Sequence, residues 1–577
     1  MSDQPSKIGV FVCHCGGNIS DYVDVERVRS AAERETGVAL SRTQMFACSD
    51  ASQAEMAEAI EREGLDGIVV ASCSPKLHLH TFRHMAQRAG LNPYRYAQVN
   101  LREQCSWSHR NDFDAATAKG VDLVRAGIAR ARTSESLQTF RVETTPAVLV
   151  VGAGVAGLRA AVSLADLDLT VYVVERAAEP GGWTAVQGLA FPSGRPGAAL
   201  LRTLQGAVAE RENIKLFTSA EVVERGGSVG NFQVGIRVSS GEVLSLEVGT
   251  IIVATGFEPY SPADGEFGRG LPGVVTLPEF DRILAAGGDE LVVGGRRIHT
   301  LAYIYCVGSR QTQDAEHADP HRYCSRFCCT AAVHAAVVAH GIDERLNQYH
   351  LYQDMRTYGK NELLFEEAGR KGSVFLRFDG DNPPEVRQEG EALVVSVADQ
   401  LDGGETVEIP VDLVVLVTGA VPRRNDGLVD VLKLPVGTDG FFNEIHPKLR
   451  PVETVLDGVL IAGAAQGPKT IAESVTSSLA AVSKSASLLL KGHVELEPFV
   501  AVVDPDRCTG CDACLASCPY SALVKTGGKD RPVEVSPALC KGCGGCVPVC
   551  PEGAIDVVGY TDRQITRAID ALIQDAA

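Results

Sequence analysis

The segment from Ala147 to Gly182 restricts what this chain can fold into more than any other. It reads AVLVVGAGVAGLRAAVSLADLDLTVYVVERAAEPGG. An apolar run, Val148 to Val151, leads into Gly152-x-Gly154-x-x-Gly157. An Ala/Leu-rich helical stretch follows, and a second apolar run, Val171 to Val174, ends at Glu175. Strand, glycine turn, helix, strand and acid in that order specify a dinucleotide site rather than a merely structural tight turn. Gly152 permits the turn, Gly154 lets a pyrophosphate approach the backbone at the helix N-terminus, and Gly157 lets helix and strand pack closely. Glu175 falls about 20 residues beyond the turn, where an acid accepts hydrogen bonds from a ribose.

Downstream segments supply the pieces that close a flavin site. Glu179-Pro180-Gly181-Gly182 forms a turn able to cross the isoalloxazine side of the cofactor. Gly249 to Gly256 (GTIIVATG) is a strand ending in Ala254-Thr255-Gly256, which returns the chain beneath the first site. Asp457 to Gly467 (DGVLIAGAAQG), containing Gly463, and the helix after Pro468 complete it, with Lys469 as a candidate flavin-tuning residue. Ala464 and Ala465 stand where such proteins usually place an Asp against the ribityl chain. The expected FAD contacts are therefore Gly152, Gly154, Gly157, Glu175, Gly182, Thr255, Gly256 and Gly463.

Between these halves a second nucleotide lobe is expected over 297–420, but its phosphate turn is missing. The apolar run Leu301 to Tyr305 enters Cys306-Val307-Gly308-Ser309-Arg310 where a pyridine-nucleotide domain would place a second glycine pattern. Three more cysteines follow in Tyr323-Cys324-Ser325-Arg326-Phe327-Cys328-Cys329, at the opening of an alanine-rich helix. Four sulfurs can converge there, and the helix dipole favours thiolates at that position. A redox disulfide, Cys324 with Cys328 or the adjacent pair, is the rival reading.

Seventeen cysteines and a formal charge of -19 frame the rest. The charge argues against nucleic-acid and anionic-membrane partners. The N-terminus lacks a basic, then apolar, leader, and no uninterrupted apolar stretch is long enough to span a bilayer, so a soluble cytosolic protein is expected. In that compartment cysteines serve metal clusters or redox chemistry rather than a disulfide framework. The clearest case is C-terminal. Cys508-x-x-Cys511-x-x-Cys514-x-x-x-Cys518-Pro519 recurs as Cys540-x-x-Cys543-x-x-Cys546-x-x-x-Cys550-Pro551. This is the bacterial two-cluster ferredoxin spacing, in which the fourth cysteine of each run ligates the other cluster. Cys508, Cys511, Cys514 and Cys550 should hold one 4Fe-4S cluster, and Cys540, Cys543, Cys546 and Cys518 the second. The tail from Asp562 reads as an amphipathic packing helix.

The first 140 residues alternate apolar runs with helical stretches, as in a small doubly wound parallel sheet. A helical linker is expected around Thr117 to Thr139. Cys13, Cys15, Cys48, Cys73 and Cys105 each follow an apolar run, and so share the carboxyl edge where ligands bind such sheets. Four of the five are expected to hold an iron–sulfur cluster, and the sequence leaves open which is spare. Five separate buried thiols are the alternative.

Assembled, these motifs make the chain resemble the A-type subunits of heterodisulfide reductase. The resemblance rests on Val12-Cys13-His14-Cys15-Gly16, Ala71-Ser72-Cys73-Ser74-Pro75, Arg102-Glu103-Gln104-Cys105-Ser106-Trp107, the two cysteine segments from Cys306 to Cys329, and the ferredoxin runs. It implies an α/β protein of five segments. These are an N-terminal cluster domain (1–140), a thioredoxin-reductase-like FAD lobe (141–296, closed by 421–497), a second lobe with a cysteine cluster (297–420), and a two-cluster ferredoxin (498–577). It implies an oxidoreductase subunit that exchanges electrons within a soluble complex, with B- and C-like subunits and a hydrogenase- or dehydrogenase-linked input subunit. Ferredoxin is a further partner of some members, which perform electron bifurcation, and a homodimer is expected within the complex. Two departures bear on that last activity. The fullest members insert another ferredoxin domain where only Arg237 to Val248 bridges here, and His334 stands where the family often has a lysine near the flavin. An ordinary helix-surface histidine is the competing reading of His334. The alternatives to this function are a self-contained NAD(P)H-dependent flavin disulfide reductase and a non-enzymatic iron–sulfur scaffold or redox sensor.

Overall fold

The computed structural model describes residues 7–191, 194–312, 320–390, 392–525 and 532–573. The chain forms two compact units, Met1–Val142 with Glu495–Ala577, and Glu143–Val494.

In the first unit, four parallel strands, β1 (Ile8–Cys13), β2 (Val38–Gln44), β3 (Gly67–Ser72) and β4 (Tyr96–Asn100), lie in the order β2-β1-β3-β4. β1 and β3 are buried along their whole length, as their unbroken apolar sequences require. The chain leaves β1 towards β2 on one side and later enters β3 on the other, so the topological switch lies between β1 and β3. Cys13 and Cys73 stand at the ends of those two strands. Two of the helices start at side-chain caps, Asp24 for Val25–Glu33 and Ser49 for Asp50–Glu63, and the second stops at Gly64 in the left-handed region. The helical segment expected around Thr117 to Thr139 is present, but it packs into the domain core rather than serving as a linker. Phe113–Thr133 is one continuous helix, and its Ala116, Val124, Ile128 and Ala131 share a core with Val10, Val12, Val69 and Val99. Its alanines and glycines allow close packing on the sheet.

The ferredoxin module belongs to the same unit. Ala501–Val503 pairs antiparallel with Ile555–Val557. The tail helix Asp562–Leu572 lies along Phe113–Thr133, with Gln564 Nε2 donating to the Thr133 carbonyl at 2.9 Å.

The second unit has two lobes. The dinucleotide lobe is a parallel five-stranded sheet in the order Val459–Ile461, Thr250–Val253, Ala147–Val151, Thr170–Val174, Ile214–Phe217. The late segment at 457–467 thus returns to the sheet begun at residue 147. The chain between Ile214–Phe217 and Thr250 forms a plain antiparallel meander, Glu221–Ser228, Asn231–Arg237 and Val243–Val248. The other lobe is a second parallel five-stranded sheet with Thr300–Val307 at its centre, between Leu413–Thr418 and Asn347–Tyr352.

The glycines of the first turn act as expected from their spacing. A Cβ on Gly157 would lie 1.8 Å from the Gly152 carbonyl oxygen, and one on Gly152 would lie 2.4 Å from that of Ala254. A Cβ on Gly154 would meet nothing within 4 Å. Gly157→Ala should therefore destabilise the protein by about 1–3 kcal/mol through overpacking, whereas Gly154→Ala should cost about 0.5 kcal/mol or less. Urea unfolding of the two variants side by side checks this, and equal midpoints would contradict it.

Candidate functional site

Two adjoining cavities lie over the carboxyl edge of the dinucleotide sheet. The larger, of about 420 Å3, lies along Gly152, Glu175, Ala220, Thr255 and Arg423. The smaller, of about 80 Å3, lies along Gly154, Gly182, Trp183, Gly256, Phe257 and Ala464. Helix Val155–Ala165 opens at Gly154 with no side-chain cap and no acid in its first turn, so its first N–H groups are left to a ligand. Glu175 is buried, and its carboxylate accepts from the Ala153 and Ala177 N–H groups at 2.7 and 2.8 Å. An ionised carboxylate has further lone pairs for ribose hydroxyls. An uncapped helix start, an open Gly154 and an oriented acid together fit a bound dinucleotide. Gly463, with φ 66°, packs against Ala156, and its N–H donates to Ser477 Oγ at 3.2 Å. Ala464 lines the smaller cavity in place of the usual Asp, and buried Ser474 is the polar group beside it.

In the second lobe, the register of strand Thr300–Val307 breaks between Ile304 and Val307, and Cys306 takes φ 64°. That kink turns the strand end towards Cys324, Cys328 and Cys329. Cys306 lies within electrostatic reach of Cys324 and Cys329, and the Cys328 and Cys329 thiols hydrogen-bond to each other. Burial pushes the Cys306 thiol up to about 12. Cys329 is instead drawn down, first by its bond with Cys328 and also by Arg356 and Arg310. The Arg326 N–H donates to Cys324 Sγ at 3.3 Å. All seventeen cysteines are free thiols. A Cβ on Gly308 would fall 2.0 Å from the Tyr260 ring, so that ring fills the space where a glycine turn would cradle phosphate. Aromatic rings connect this group to the smaller cavity: Phe327 lies 5.6 Å from Phe257, and Phe257 lies 6.3 Å from Trp183.

Three cysteines of the second ferredoxin run lie with the fourth of the first. Cys518, Cys540, Cys543 and Cys546 line one small cavity. Cys514 is influenced by Cys508 and Cys511. Backbone N–H groups of Ala501, Ala522 and Ala554 donate to Cys540, Cys518 and Cys550 sulfurs at 3.2–3.3 Å, as suits thiolate ligands. In the N-terminal domain Cys13 interacts with Cys15 and Cys48, and Cys73 with Cys15 and Cys13. Arg102 Nη1 donates to Cys15 Sγ at 3.7 Å, and the Ala47 N–H to Cys13 Sγ at 3.3 Å. Cys105 stands apart, fully buried in the core on the other face of the sheet. Among the described residues no group of three or more His, Cys, Asp or Glu side chains is arranged for a single metal ion.

The two candidate tuning residues fall in different places. His334 lines neither cavity; its ring stands edge-on to Phe191 at 5.6 Å and beside Gly194. Lys469 donates to Gln466 Oε1 at 3.2 Å, and burial lowers its ammonium to about 8. Trp183, Phe257, Arg423 and Ser474 belong to no motif that the sequence displays. Trp183 adjoins Gly182 and Phe257 adjoins Gly256, so proximity to the glycines is the available signal; Arg423 and Ser474 have none.

Comparison with known proteins bears on the dinucleotide and ferredoxin parts of the chain. A family profile described as pyridine nucleotide-disulphide oxidoreductase matches residues 146–295, and one described as a 4Fe-4S dicluster domain matches 501–563. The second A-type iron-sulfur subunit of the CoB--CoM heterodisulfide reductase of Methanopyrus kandleri is 36% identical, with 92% of this chain and 93% of that protein covered. The A-type subunit of the H(2):CoB-CoM heterodisulfide,ferredoxin reductase of Methanothermobacter thermautotrophicus is 34% identical, with 90% of each covered. Among solved structures, thioredoxin reductase of T. acidophilum aligns over 59% of this chain and 98% of its own, at 17% identity and a TM-score of 0.40. No helix among the described residues is long and apolar enough to cross a membrane.

The depressed Lys469 ammonium has a testable sign. The unfolded chain holds that proton up to about 10.5 and the folded protein only up to about 8, so the cost of burying the charge fades as pH rises between these values. Wild type should gain stability relative to Lys469→Met over that window. Parallel stability profiles for the two proteins from pH 8 to pH 10.5 would show that the lysine is not so perturbed.

Proposed function

Because the chain belongs to the family of heterodisulfide reductase A-type subunits, we propose that it is the FAD and iron–sulfur electron-transfer component of a cytoplasmic heterodisulfide reductase-like complex. It is an oxidoreductase subunit with an FAD-binding domain and a 4Fe-4S dicluster domain. The observation that carries the finer reading is the placement of the Cys306, Cys324, Cys328 and Cys329 group beside the flavin cavity, one ring contact on either side of Phe257. FAD, when bound, exchanges electrons both in pairs and singly, which lets it join a two-electron partner to one-electron clusters.

The residues then have distinct tasks. The helix at Gly154 and Glu175 anchor the dinucleotide, while Trp183 and Phe257 wall the smaller cavity and restrict water. Cys306, Cys324, Cys328 and Cys329 would hold a cluster, with the Arg310 and Arg356 charges nearby offsetting four thiolates. The Arg310–Asp354 ion pair at 2.7 Å fixes one of those charges in place. A second additional cluster is assigned to Cys13, Cys15, Cys48 and Cys73, with Cys105 as the spare. Partners are expected to resemble the B- and C-type subunits and an electron-input component. The relatives' names join heterodisulfide to ferredoxin in some cases. Here, however, a meander occupies the interval before Thr250, and no cysteine lies between Cys105 and Cys306 to support another cluster on that route.

Four clusters and one FAD per chain follow. Iron analysis of anaerobically prepared protein should find one cluster's iron missing in Cys329→Ser and in Cys73→Ser, with FAD and the remaining clusters kept, and full iron in Cys105→Ser. Full iron in Cys329→Ser with the loss of two titratable thiols on reduction would establish a disulfide instead.

The isolated protein should also be a poor NAD(P)H oxidase, because Tyr260 fills the space over Gly308. Stopped-flow mixing with NADH or NADPH should leave the flavin oxidised on the seconds scale. Rapid, saturable bleaching would restore the self-contained reductase reading.

A further inference from the structure

The two flavin-lobe cavities meet at four residues that line both: Gly152, Glu175, Thr255 and Arg423. Three of these belong to the dinucleotide fold. Arg423 comes from elsewhere, from the end of the antiparallel ribbon in which Ala420–Pro422 pairs with Phe257–Pro259, and Ala420–Pro422 follows directly on Leu413–Thr418, the strand beside the central one of the other lobe. Arg423 therefore reaches the flavin site from the crossing between the lobes, where the chain leaves the one that carries Cys306.

Its guanidinium is incompletely used. Nη2 donates to the Phe257 carbonyl at 3.3 Å. The Glu258 carboxylate is 3.6 Å from Nε, too far for a hydrogen bond, and Nε is buried without a partner. A buried donor left in this state is costly unless a ligand supplies the acceptor. The segment is also held in position, because Asn425 Nδ2 donates to Thr255 Oγ1 at 3.4 Å and to the Arg423 carbonyl at 3.0 Å. Facing the junction are the uncapped N-terminus of helix Val155–Ala165 and the open space over Gly154. The other arginines of the larger cavity, Arg176, Arg237 and Arg424, do not line the smaller one.

We propose that Arg423 is a binding residue for the FAD diphosphate, gripping it from the side opposite the helix N-terminus. This rests on the FAD reading above. A guanidinium suits a diphosphate because its planar donors can engage two oxygens at once, which an ammonium cannot. The contact makes the cofactor a tie to the crossing between the lobes: the dinucleotide fold holds one side of the diphosphate, and the strand end through which the chain leaves the cluster-bearing lobe holds the other. FAD occupancy should then steady the ribbon at Ala420–Pro422 as well as the glycine turn.

The test uses full-length protein stripped of flavin and titrated with FAD, with flavin fluorescence reporting binding. Arg423→Ala should raise the FAD dissociation constant about 10- to 100-fold, and Arg423→Lys should fall between it and wild type. The flavin that does bind should keep the wild-type absorption spectrum and midpoint potential, and iron content should not change. Affinity of Arg423→Ala within about twofold of wild type overturns the proposal, since a single charged contact is worth more than that. A shifted spectrum or potential also overturns it, because the side chain would then act on the ring system, and so does iron lost along with flavin, which marks a structural role. Failure of wild type itself to bind FAD is a separate result and removes the cofactor reading, not the assignment of Arg423 within it.

Discussion

Cys306 is held at φ 64° by a break in strand register, and the electron-carrying character proposed for the second lobe depends on that local geometry. Had the strand continued regularly into a glycine turn, the lobe would present N–H groups to a phosphate. The kink instead brings a sulfur to the strand end, and Tyr260 occupies the vacated volume. A left-handed non-glycine residue costs on the order of 1–3 kcal/mol and persists only where its surroundings impose it. Six of the ten such residues among those described, Cys15, Cys306, Arg310, Arg326, Asp512 and Ser521, lie within or beside cysteine segments. Backbone strain is thus concentrated where several sulfurs must face one point.

The two α/β regions use one architectural rule in different ways. In a parallel sheet the strand ends share an edge, and loops from neighbouring strands converge there. In the dinucleotide lobe that edge carries glycines, an uncapped helix and an oriented acid. In the N-terminal domain it carries Cys13, Cys15 and Cys73, with Cys48 approaching from the loop after β2. Cys105 illustrates the limit of the rule. It follows β4 like the others, yet the turn at Arg102–Ser106 sends its thiol into the core on the opposite face.

Charge is managed locally around each sulfur group. Arg102 contacts Cys15 and is itself held by Glu103 at 2.8 Å, while Arg310 and Arg356 flank Cys329. Both arrangements place fixed guanidinium charges beside thiols that burial would otherwise keep protonated. The ferredoxin sulfurs rely more on backbone N–H donors, as their short loops leave amide groups directly opposite them.

The sequence by itself determined the features that depend on spacing along the chain. The glycine turn, and the first three cysteines of each C-terminal run, are read from intervals because a single turn or loop brings those residues together. Four strands of the dinucleotide lobe, Ala147–Val151, Thr170–Val174, Thr250–Val253 and Val459–Ile461, were equally legible, being short and apolar. So was the helical character of Phe113–Thr133, but not its packing on the N-terminal sheet, which depends on segments far apart in the chain. Tertiary structure alone decided which N-terminal cysteine is isolated, that His334 lies against Phe191, and that Arg423 meets the glycine turn from the crossing between the lobes. Each depends on side-chain direction or on contacts between segments far apart in sequence, and no local pattern of residues encodes either.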